Sequence, residues 1–383
     1  MRLQNILDKR SLKGSLSHEG TILRVLLVEP KYYTKFPPLG LLKLSSYHKR
    51  KGDTILGLVK GKQFLRVSPD LVYVTSLFTW AWRDVHEAVR FYKMFYPNVK
   101  VWLGGLYASL LPEHAAFSGA DYVHRGLFDD AEDLKPDYEL LKNYMPKWDG
   151  SILFASRGCP RDCGFCAVPI IEGKMCRMKD SIKELIYPEY TRVILWDNNI
   201  LASPKWRDIF SELEVLGLKV DFNQGLDARL LTDEVAERLA RIRLDFGGGI
   251  KVRLGYDFRR NGPLVRKAIE RLNAVGIKGR RIMVYTLFNY NDDPEDLFER
   301  VRNVLHWGAV CYPMRYEPIH TLDKNKWVGS KWDLKRIDMV QRARRVIGYR
   351  GTFPPYEGLI KKFDGANGFD EAFKLRPRKK KRE

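Results

Sequence analysis

Gly150-Ser-Ile-Leu-Phe-Ala-Ser-Arg-Gly-Cys-Pro-Arg-Asp-Cys-Gly-Phe-Cys166 contains three of the five cysteines in this chain of 383 residues. Cys159, Cys163 and Cys166 follow a C-x3-C-x2-C spacing directly after a short apolar run that predicts a β-strand. Thiolates this close together on a loop suit a metal centre, because soft sulfur ligands select iron–sulfur, zinc or copper sites. Three ligands would fill only part of a four-iron cluster and would leave one iron open to a cofactor.

Two other interpretations of the three cysteines are weaker. Buried thiols behave as small hydrophobic residues, but a loop rich in Gly, Pro, Arg and Asp is a poor place for three of them. A structural zinc site needs a fourth ligand and usually contains paired C-x2-C units. The chain has no second C-x2-C, and Cys176 and Cys311 stand alone on apolar stretches, where the core interpretation is favoured. The pattern therefore favours an iron–sulfur cluster.

Upstream of this loop, apolar runs that predict strands alternate with segments of helical periodicity. This alternation is typical of a doubly wound parallel sheet. Residues 1–20 are polar and are predicted to form a flexible leader, and residues 127–149 are predicted to form an acidic linker. The predicted strands are 21–30, 70–76, 99–105 and 121–126, and the predicted helices are 36–52, 83–96 and 111–118.

Downstream of the linker, six further strand–helix units can be counted. Helices are predicted to start near Ser203, Thr232, Asn261 and Asp293, because each position offers an N-cap residue or a proline in the first turn. In parallel α/β folds the loops at the carboxyl ends of the strands carry the ligands. The predicted strands are 150–156, 192–197, 219–223, 251–256, 281–287 and 309–314.

The cysteine loop, with an aromatic residue just before its third cysteine, resembles the cluster loop of the radical S-adenosylmethionine superfamily. The six βα units match the open partial (β/α)6 barrel of that superfamily, which would span residues 150–355 and be followed by a basic C-terminal extension, 356–383. Residues 21–126 resemble the cobalamin-binding-type domain that precedes the barrel in one subfamily. The matching pieces are Val25-Leu-Leu-Val28, Pro37-Pro-Leu-Gly-Leu-Leu42, Leu103-Gly-Gly105 and Ala120-Asp-Tyr-Val-His-Arg-Gly126.

The cobalamin question stays open at this stage. The D-x-H-x-x-G motif that supplies a histidine to cobalt in other cobalamin proteins is absent, although many members of the resembling subfamily also lack it. The glycines of the segment are also what tight βα turns require. The N-terminal domain is therefore either a cobalamin site or a degenerate domain without a cofactor.

The resemblance implies roles for several residues. Cys159, Cys163 and Cys166 would hold a 4Fe–4S cluster whose fourth iron chelates S-adenosylmethionine, with electrons from an external donor. Phe165 would lie near the adenine. Asp197, Asn198 and Asn199 stand where many members carry a Gly-Gly-Glu-type turn, so that Asp197 would accept the methionine ammonium. Asn289 would replace a glycine in a later turn, since Asn tolerates positive φ better than other non-glycine residues.

Polar residues at the ends of the third and fourth strands of the second half are further candidates. Such residues more often line a site than fill a core. Asn223, Gln224, Asp227 and Arg229 are candidates for binding ribose, carboxylate or substrate, and Arg253 for binding a carboxylate. Asp and Asn are also ordinary turn residues, and Arg253 with Lys251 would equally suit a polar barrel interior. The sequence assigns no catalytic residue.

The charge of the chain indicates its partners. A formal net charge of +20 favours an anionic or nucleic-acid-related substrate. Residues 374–382 carry seven positive charges, which suits a solvated tail or an arm that binds phosphates. Few, clustered cysteines indicate a reducing cytoplasm. No apolar run is long enough for a membrane span, and the N-terminus lacks the apolar region of a secretory signal.

These observations lead to one main hypothesis and two alternatives. The main hypothesis is a radical S-adenosylmethionine enzyme that methylates an unactivated carbon if it binds cobalamin, or functionalises another C–H bond if it does not. The first alternative is a cobalamin-independent member with a degenerate N-terminal domain. The second is a nucleic-acid-binding protein in which the iron–sulfur cluster is structural.

Overall fold

The computed structural model describes residues 22–348 and 356–375. These fall into two compact units. The first contains the described residues up to Asp149 together with 166–173 and 319–324, and the second contains the remainder from Gly150 onward. The predicted leader and residues 376–383 of the basic tail lie outside the described residues.

The first unit contains a parallel sheet of five strands in the order β2-β1-β3-β4-β5. This confirms the predicted α/β class with a doubly wound sheet. Four of the strands are those predicted, but β2 is an additional edge strand. Its sequence hides it, because Gly57 interrupts the apolar run and adopts a φ of 149° where the register with β1 shifts. The strands are β1 (Arg24–Glu29), β2 (Thr54–Lys60), β3 (Leu71–Ser76), β4 (Lys100–Gly105) and β5 (Tyr122–Val123).

The helices of the first unit cover the sheet with apolar faces. Two separate cores result, one on each side of the sheet, because the strands are apolar on both faces. The helices are α1 (Leu39–Arg50), α2 (Trp82–Phe95), α3 (Leu106–Leu110), α4 (Pro112–Ala116), α5 (Asp129–Glu132), α6 (Leu141–Tyr144) and α7 (Val168–Ile171).

The segment predicted as an acidic linker packs against α1. The buried ammonium of Lys43 donates to the carbonyl of Glu132 at 2.6 Å and to its carboxylate at 2.8 Å. The Ser45 hydroxyl donates to Asp137 at 2.6 Å. Acidic residues in this segment are therefore partners of α1 and belong to the first unit.

The second unit contains six parallel strands in two sheets, β6-β7-β8 and β9-β10-β11. A parallel bridge between Leu226 and Leu254, with the Leu226 N–H donating to the Arg253 carbonyl at 2.8 Å, joins the end of β8 to β9. One apolar core cluster contains residues from all six strands and from the helices that pack on them. The strands are β6 (Gly150–Leu153), β7 (Arg192–Leu195), β8 (Lys219–Phe222), β9 (Val252–Gly255), β10 (Ile282–Phe288) and β11 (Val310–Arg315).

Two of the four predicted helix starts are capped as expected. The side chains of Thr232 and Asp293 accept from the N–H groups of Val235 and Asp296. Ser203 is not the N-cap of its helix, which begins three residues later, and Asn261 makes no side-chain cap. The helices are α8 (Trp206–Leu216), α9 (Asp233–Arg241), α10 (Gly262–Ala274), α11 (Pro294–His306), α12 (Leu334–Ile347), α13 (Tyr356–Asp364) and α14 (Phe369–Ala372).

A buried arginine ties α11 to the carboxyl ends of two strands. Arg300 is fully buried, and its guanidinium donates to the backbone carbonyls of Tyr256 at 3.1 Å and Leu287 at 2.7 Å. It also pairs with Asp292 at 2.6 Å. Carbonyls at strand ends that lack a ladder partner need such donors, so Arg300 holds this edge of the unit in place. None of the helices in the described parts of the chain combines the length and apolarity needed to cross a membrane.

Candidate functional site

The cysteine loop leaves the carboxyl end of β6 and is held there by Asp197. Asp197 follows β7, is 3% exposed, and accepts from the N–H groups of Ala155 at 3.0 Å and Ser156 at 2.6 Å. The Ser156 hydroxyl donates to it at 2.7 Å. Burial raises the pKa of Asp197 to about 6, against the opposing effect of these donors. Asp197, which the sequence assigned to the ammonium of a ligand, thus accepts hydrogen bonds from the backbone of the cysteine loop.

A backbone bridge is the second anchor of the cysteine loop. The backbones of Arg157 and Cys176 pair as an antiparallel bridge, with N–H···O distances of 2.9 and 2.8 Å. Cys176 is only partly buried, whereas the sequence favoured a core position for it. Cys311 is fully buried beside the Thr286 hydroxyl at 3.4 Å, and burial raises the pKa of its thiol to about 12. Cys311 is therefore a core residue.

The sulfur atoms of Cys159 and Cys166 accept hydrogen bonds from the chain itself. The N–H groups of Arg161 and Val168 each point at the sulfur two residues earlier, at 3.5 Å. The side-chain amide of Asn199, which follows β7, lies 3.7 Å from the Cys159 sulfur. Hydrogen bonds to cysteine sulfur are one of the features that tune iron–sulfur clusters.

The three cysteines are divided between the two units. Cys159 and Cys163 belong to the second unit, and Cys166 begins the short segment counted with the first. Among residues 22–348 and 356–375, no three His, Cys, Asp or Glu side chains are grouped as metal ligands would be. The donor chemistry fits an iron–sulfur cluster, because three thiols with N–H···S bonds on two of them are what such clusters use. The three-cysteine cluster site stays a prediction.

Next to Cys159 lies a network centred on Asp227, which follows β8. Its carboxylate accepts from the Asn199 amide at 3.2 Å, from Arg161 Nε at 3.2 Å and from Arg229 Nε at 2.6 Å. Burial alone would raise the pKa of Asp227, but Arg229 outweighs this effect and the pKa lies below its usual value. The structure therefore brings together three predicted residues, Asn199, Asp227 and Arg229, beside the first cysteine.

The amide of Asn199 has one group without a partner. Its Nδ2 donates to Cys159 and Asp227, whereas its Oδ1 is buried and has no hydrogen-bond partner among the described residues. An unsatisfied buried acceptor is rare in folded proteins and costs about 1–3 kcal/mol. A ligand that carries an N–H or ammonium donor would satisfy it.

Arg253, Asn223 and Gln224 are not part of this network. The guanidinium of Arg253 is 4% exposed, pairs with Asp221, donates to the Phe222 carbonyl at 2.6 Å and covers the Phe246 ring. Asn223 lies 3.4 Å from the same Asp221. Gln224 is exposed and lies near Asn223. The Asp221 carboxylate thus balances the charge of Arg253 inside the unit. This agrees with the alternative interpretation, in which Arg253 lies in a polar barrel interior.

Phe165 and Asn289 are held by neighbouring loops. The Phe165 ring packs edge-on against Tyr290, with centroids 5.7 Å apart. Asn289 has a φ of 68°, a left-handed conformation that Asn tolerates better than most non-glycine residues. Its side chain accepts from the Gly329 N–H at 2.8 Å and donates to two carbonyls, so it fastens this turn to the segment after β11. Asn198 is half-buried beside Asp197.

Sequence reasoning missed three charged residues of this edge. Arg161 lies in the cysteine loop and pairs with Asp227, and Asp221 is the partner of Arg253. Asp257 follows the end of β9, and burial raises its pKa against the effect of Arg300. The rule that polar residues at strand ends line a site applies to Asp257 as it did to Asp227. That signal was present in the sequence.

Four histidines of the first unit, His48, His86, His114 and His124, have hydrogen-bond partners. His86 and His114 both hydrogen-bond to the buried hydroxyl of Tyr107. His48 lies between Asp53 and Tyr73, and His124 is bonded to the Leu127 carbonyl. Burial lowers the pKa of His86 to about 4, which keeps it neutral at physiological pH. Because protein groups occupy these four side chains, we propose none of them as a cobalt ligand.

Comparison with known proteins gives distant similarities. The chain is 24% identical over 289 residues to "Uncharacterized methyltransferase PH0819" of Pyrococcus horikoshii, covering 57% of this chain and 63% of that protein. It is 22% identical over 196 residues to "Bacteriochlorophyllide d C-12(1)-methyltransferase" of Chlorobaculum tepidum, covering 47% of this chain and 43% of that protein. The chain thus spans less than two thirds of either relative. No family model matches it.

One solved structure is similar at low level. It is Streptococcus suis SuiB bound to S-adenosylmethionine, with 14% identity, a TM-score of 0.33, and coverage of 67% of this chain and 60% of that chain. A TM-score of this size carries no argument about function.

Proposed function

We propose that this chain is a radical S-adenosylmethionine enzyme that acts on an anionic or nucleic-acid-related substrate. It transfers a methyl group to this substrate or functionalises one of its C–H bonds in another way. The observation that carries the proposal is the cysteine loop at the carboxyl end of β6, with N–H and amide donors on its sulfurs. Both distant relatives are methyltransferases by name, which supports the methyl-transfer form of the proposal.

Cys159, Cys163 and Cys166 would hold the cluster. When bound, a 4Fe–4S cluster with one open iron supplies the electron that cleaves S-adenosylmethionine to a 5′-deoxyadenosyl radical. The chain's own residues prepare the site. Asp197 fixes the start of the loop through Ala155 and Ser156, and its buried position excludes water from that anchor.

Two groups of the network suit the amino-acid end of S-adenosylmethionine. The buried Oδ1 of Asn199 lacks a partner among the described residues and would accept from an ammonium. Arg229 is about a third exposed and held by Asp227, so its remaining N–H groups would meet a carboxylate. The ammonium role that the sequence predicted for Asp197 is here proposed for Asn199, and of the two predicted carboxylate partners, Arg229 and Arg253, only Arg229 is proposed.

Anaerobic reconstitution with iron and sulfide, followed by dithionite and S-adenosylmethionine, tests the proposal. We expect 5′-deoxyadenosine from the intact chain and none from Cys163→Ala. Cys176→Ala is the matched control, because this cysteine lies outside the spacing motif, and it should keep the activity. An intact cluster that gives no 5′-deoxyadenosine would favour the alternative in which the cluster is structural.

Cobalamin is tested separately. Hydroxocobalamin added to the reconstituted chain should remain bound through gel filtration, with a corrin absorption spectrum, if the first unit is a cobalamin domain. Activity of the chain without bound corrin would identify a cobalamin-independent member.

The basic tail is the proposed contact for a nucleic acid. Removal of residues 374–383 should weaken RNA or DNA binding and reduce its dependence on salt, because fewer counterions are released. Binding that is unchanged in strength and salt dependence would reject the tail as an arm.

A further inference from the structure

The first unit has a cavity of about 460 Å³ at the carboxyl ends of β1 and β2. Its volume lies within the range of about 300–1,000 Å³ that holds drug-sized ligands. The floor is buried, the walls are half-buried and combine polar with apolar side chains, and the rim carries exposed amide side chains. The lining residues are Glu29 and Val59 (floor), Thr34, Phe36, Leu58, Lys60, Tyr144 and Met145 (walls), and Gln63 and Asn143 (rim).

Glu29 is the unusual member of this set. It is the last residue of the apolar strand β1 and is only 3% exposed. Burying a carboxylate is costly unless it is paired, and an apolar residue would serve the sheet better at this position. A buried acid that lines a cavity therefore calls for a function beyond folding.

The carboxylate of Glu29 has two donors on it. Lys60, its register partner at the end of β2, lies 3.0 Å away, and the Tyr144 hydroxyl donates to it. A carboxylate offers about four acceptor positions, so these two bonds leave capacity for a ligand. Burial raises the pKa of Glu29, and the two donors oppose that shift.

Lys60 completes a recognition pattern. Its side chain is 37% exposed, so the Lys60 ammonium, a donor, and the Glu29 carboxylate, an acceptor, lie side by side at the cavity. A guanine base presents the complementary edge, because its O6 is an acceptor and its exocyclic N2 amine a donor. Adenine presents a donor amine where guanine has O6. The ring of Phe36 and the thioether of Met145 supply apolar surface for a flat heterocycle.

We propose that this cavity binds a guanine nucleoside, with Glu29 accepting from the N–H edge of the base and Lys60 donating to its carbonyl oxygen. Gln63 and Asn143 at the rim would contact the sugar. The proposal is independent of the cysteine loop, because every residue it uses belongs to the first unit and binding needs no cluster.

Calorimetric titration of the full chain with guanosine, inosine and adenosine tests it. Inosine lacks the exocyclic amine, so guanosine should bind at least about tenfold more tightly than inosine, because a site built to hydrogen-bond a group rejects the analogue without it. Adenosine should bind more weakly still. A short RNA with one guanosine, compared with free guanosine, distinguishes a strand from a nucleoside as the source of the base.

Variants assign the binding to this cavity. Glu29→Gln should lower guanosine affinity about tenfold or more and remove most of the preference over inosine. Phe36→Ala should weaken both purines, and it gives a second test if Glu29→Gln does not fold by circular dichroism. Glu87→Gln is the control, because this exposed glutamate pairs with Lys62 at the surface, outside the cavity lining, and should bind normally.

Three results would overturn the proposal. These are no guanosine binding at about 1 mM, equal affinity for guanosine and adenosine, and guanosine affinity unchanged in both Glu29→Gln and Phe36→Ala.

Discussion

The amide nitrogen of Asn199 lies 3.7 Å from the sulfur of Cys159 and 3.2 Å from the carboxylate of Asp227. These three residues follow β7, β6 and β8, which are adjacent parallel strands. Their carboxyl ends meet at one edge, which is where parallel α/β folds place ligands. Asn199 therefore connects a proposed cluster ligand to the charged network that surrounds it.

Asn199→Ala should lower the reduction potential of the reconstituted cluster. A hydrogen bond to a cluster sulfur stabilises the more negative, reduced state, so its loss makes reduction harder. We expect a decrease of roughly 30–60 mV, which corresponds to a change of up to tenfold in a one-electron equilibrium. Potentiometric titration followed by electron paramagnetic resonance measures it.

Gln224→Ala is the control for this measurement. Gln224 follows the neighbouring strand β8 but is exposed, and its side-chain amide donates to Asn223 and, among the described residues, to no cysteine. Its replacement should leave the potential unchanged. Equal potentials in Asn199→Ala and the parent chain would show that the amide does not act on the cluster.

Asp227→Asn should destabilise the chain at neutral pH but not in acid. The folded pKa of Asp227 lies below its usual value, so its stabilising effect is present above the unfolded pKa of about 4 and is lost as the pH falls through the folded value. Arg161 and Arg229 are about a third exposed, and solvent screening limits the effect to about 1–3 kcal/mol.

Urea unfolding from pH 7 down to pH 3 tests this prediction. The difference in unfolding free energy between the parent chain and Asp227→Asn should shrink as the pH falls below about 4. A difference that stays constant over the range would mean that the charge of Asp227 is not what stabilises the network.

The sequence predicted the strand ends well and their side-chain partners poorly. Apolar runs and N-cap residues are local signals, and ten of the eleven strands in the described part of the chain were predicted. β2 was missed because an edge strand is only half-buried and Gly57 breaks its pattern. Which acid meets which base at the strand ends depends on the packing of distant loops, and this decided that Arg253 pairs internally while Arg229 stays partly exposed.

Gly105→Ala should destabilise the first unit far more than Gly119→Ala. Both glycines have positive φ, of 102° and 89°, so both substitutions carry backbone strain, and Gly105 with a ψ of −169° lies in a region that almost only glycine adopts. A Cβ on Gly105 would also clash with the Ser76 carbonyl oxygen, whereas one on Gly119 would meet nothing within 4 Å. The backbone of β3 cannot yield cheaply, so the first substitution should cost several kcal/mol.

Thermal unfolding of the two variants measures the difference. Gly119→Ala reports the strain of a positive φ alone, and the excess for Gly105→Ala reports the steric conflict and the glycine-only backbone conformation at the end of β4. Equal melting temperatures in the two variants would mean that β3 and β4 separate enough to admit a methyl group.

Arg300→Met should cost about 3–5 kcal/mol of stability, the range for removing one partner of a buried ion pair. It leaves the Asp292 carboxylate without its cation and the carbonyls of Tyr256 and Leu287 without their donor. Arg266→Met is the matched control on α10, because that arginine is exposed and pairs with Glu270 one turn away. It should cost less than about 1 kcal/mol. Chemical denaturation of both variants measures the two losses, and a similar small loss in each would show that Arg300 is dispensable for this edge of the second unit.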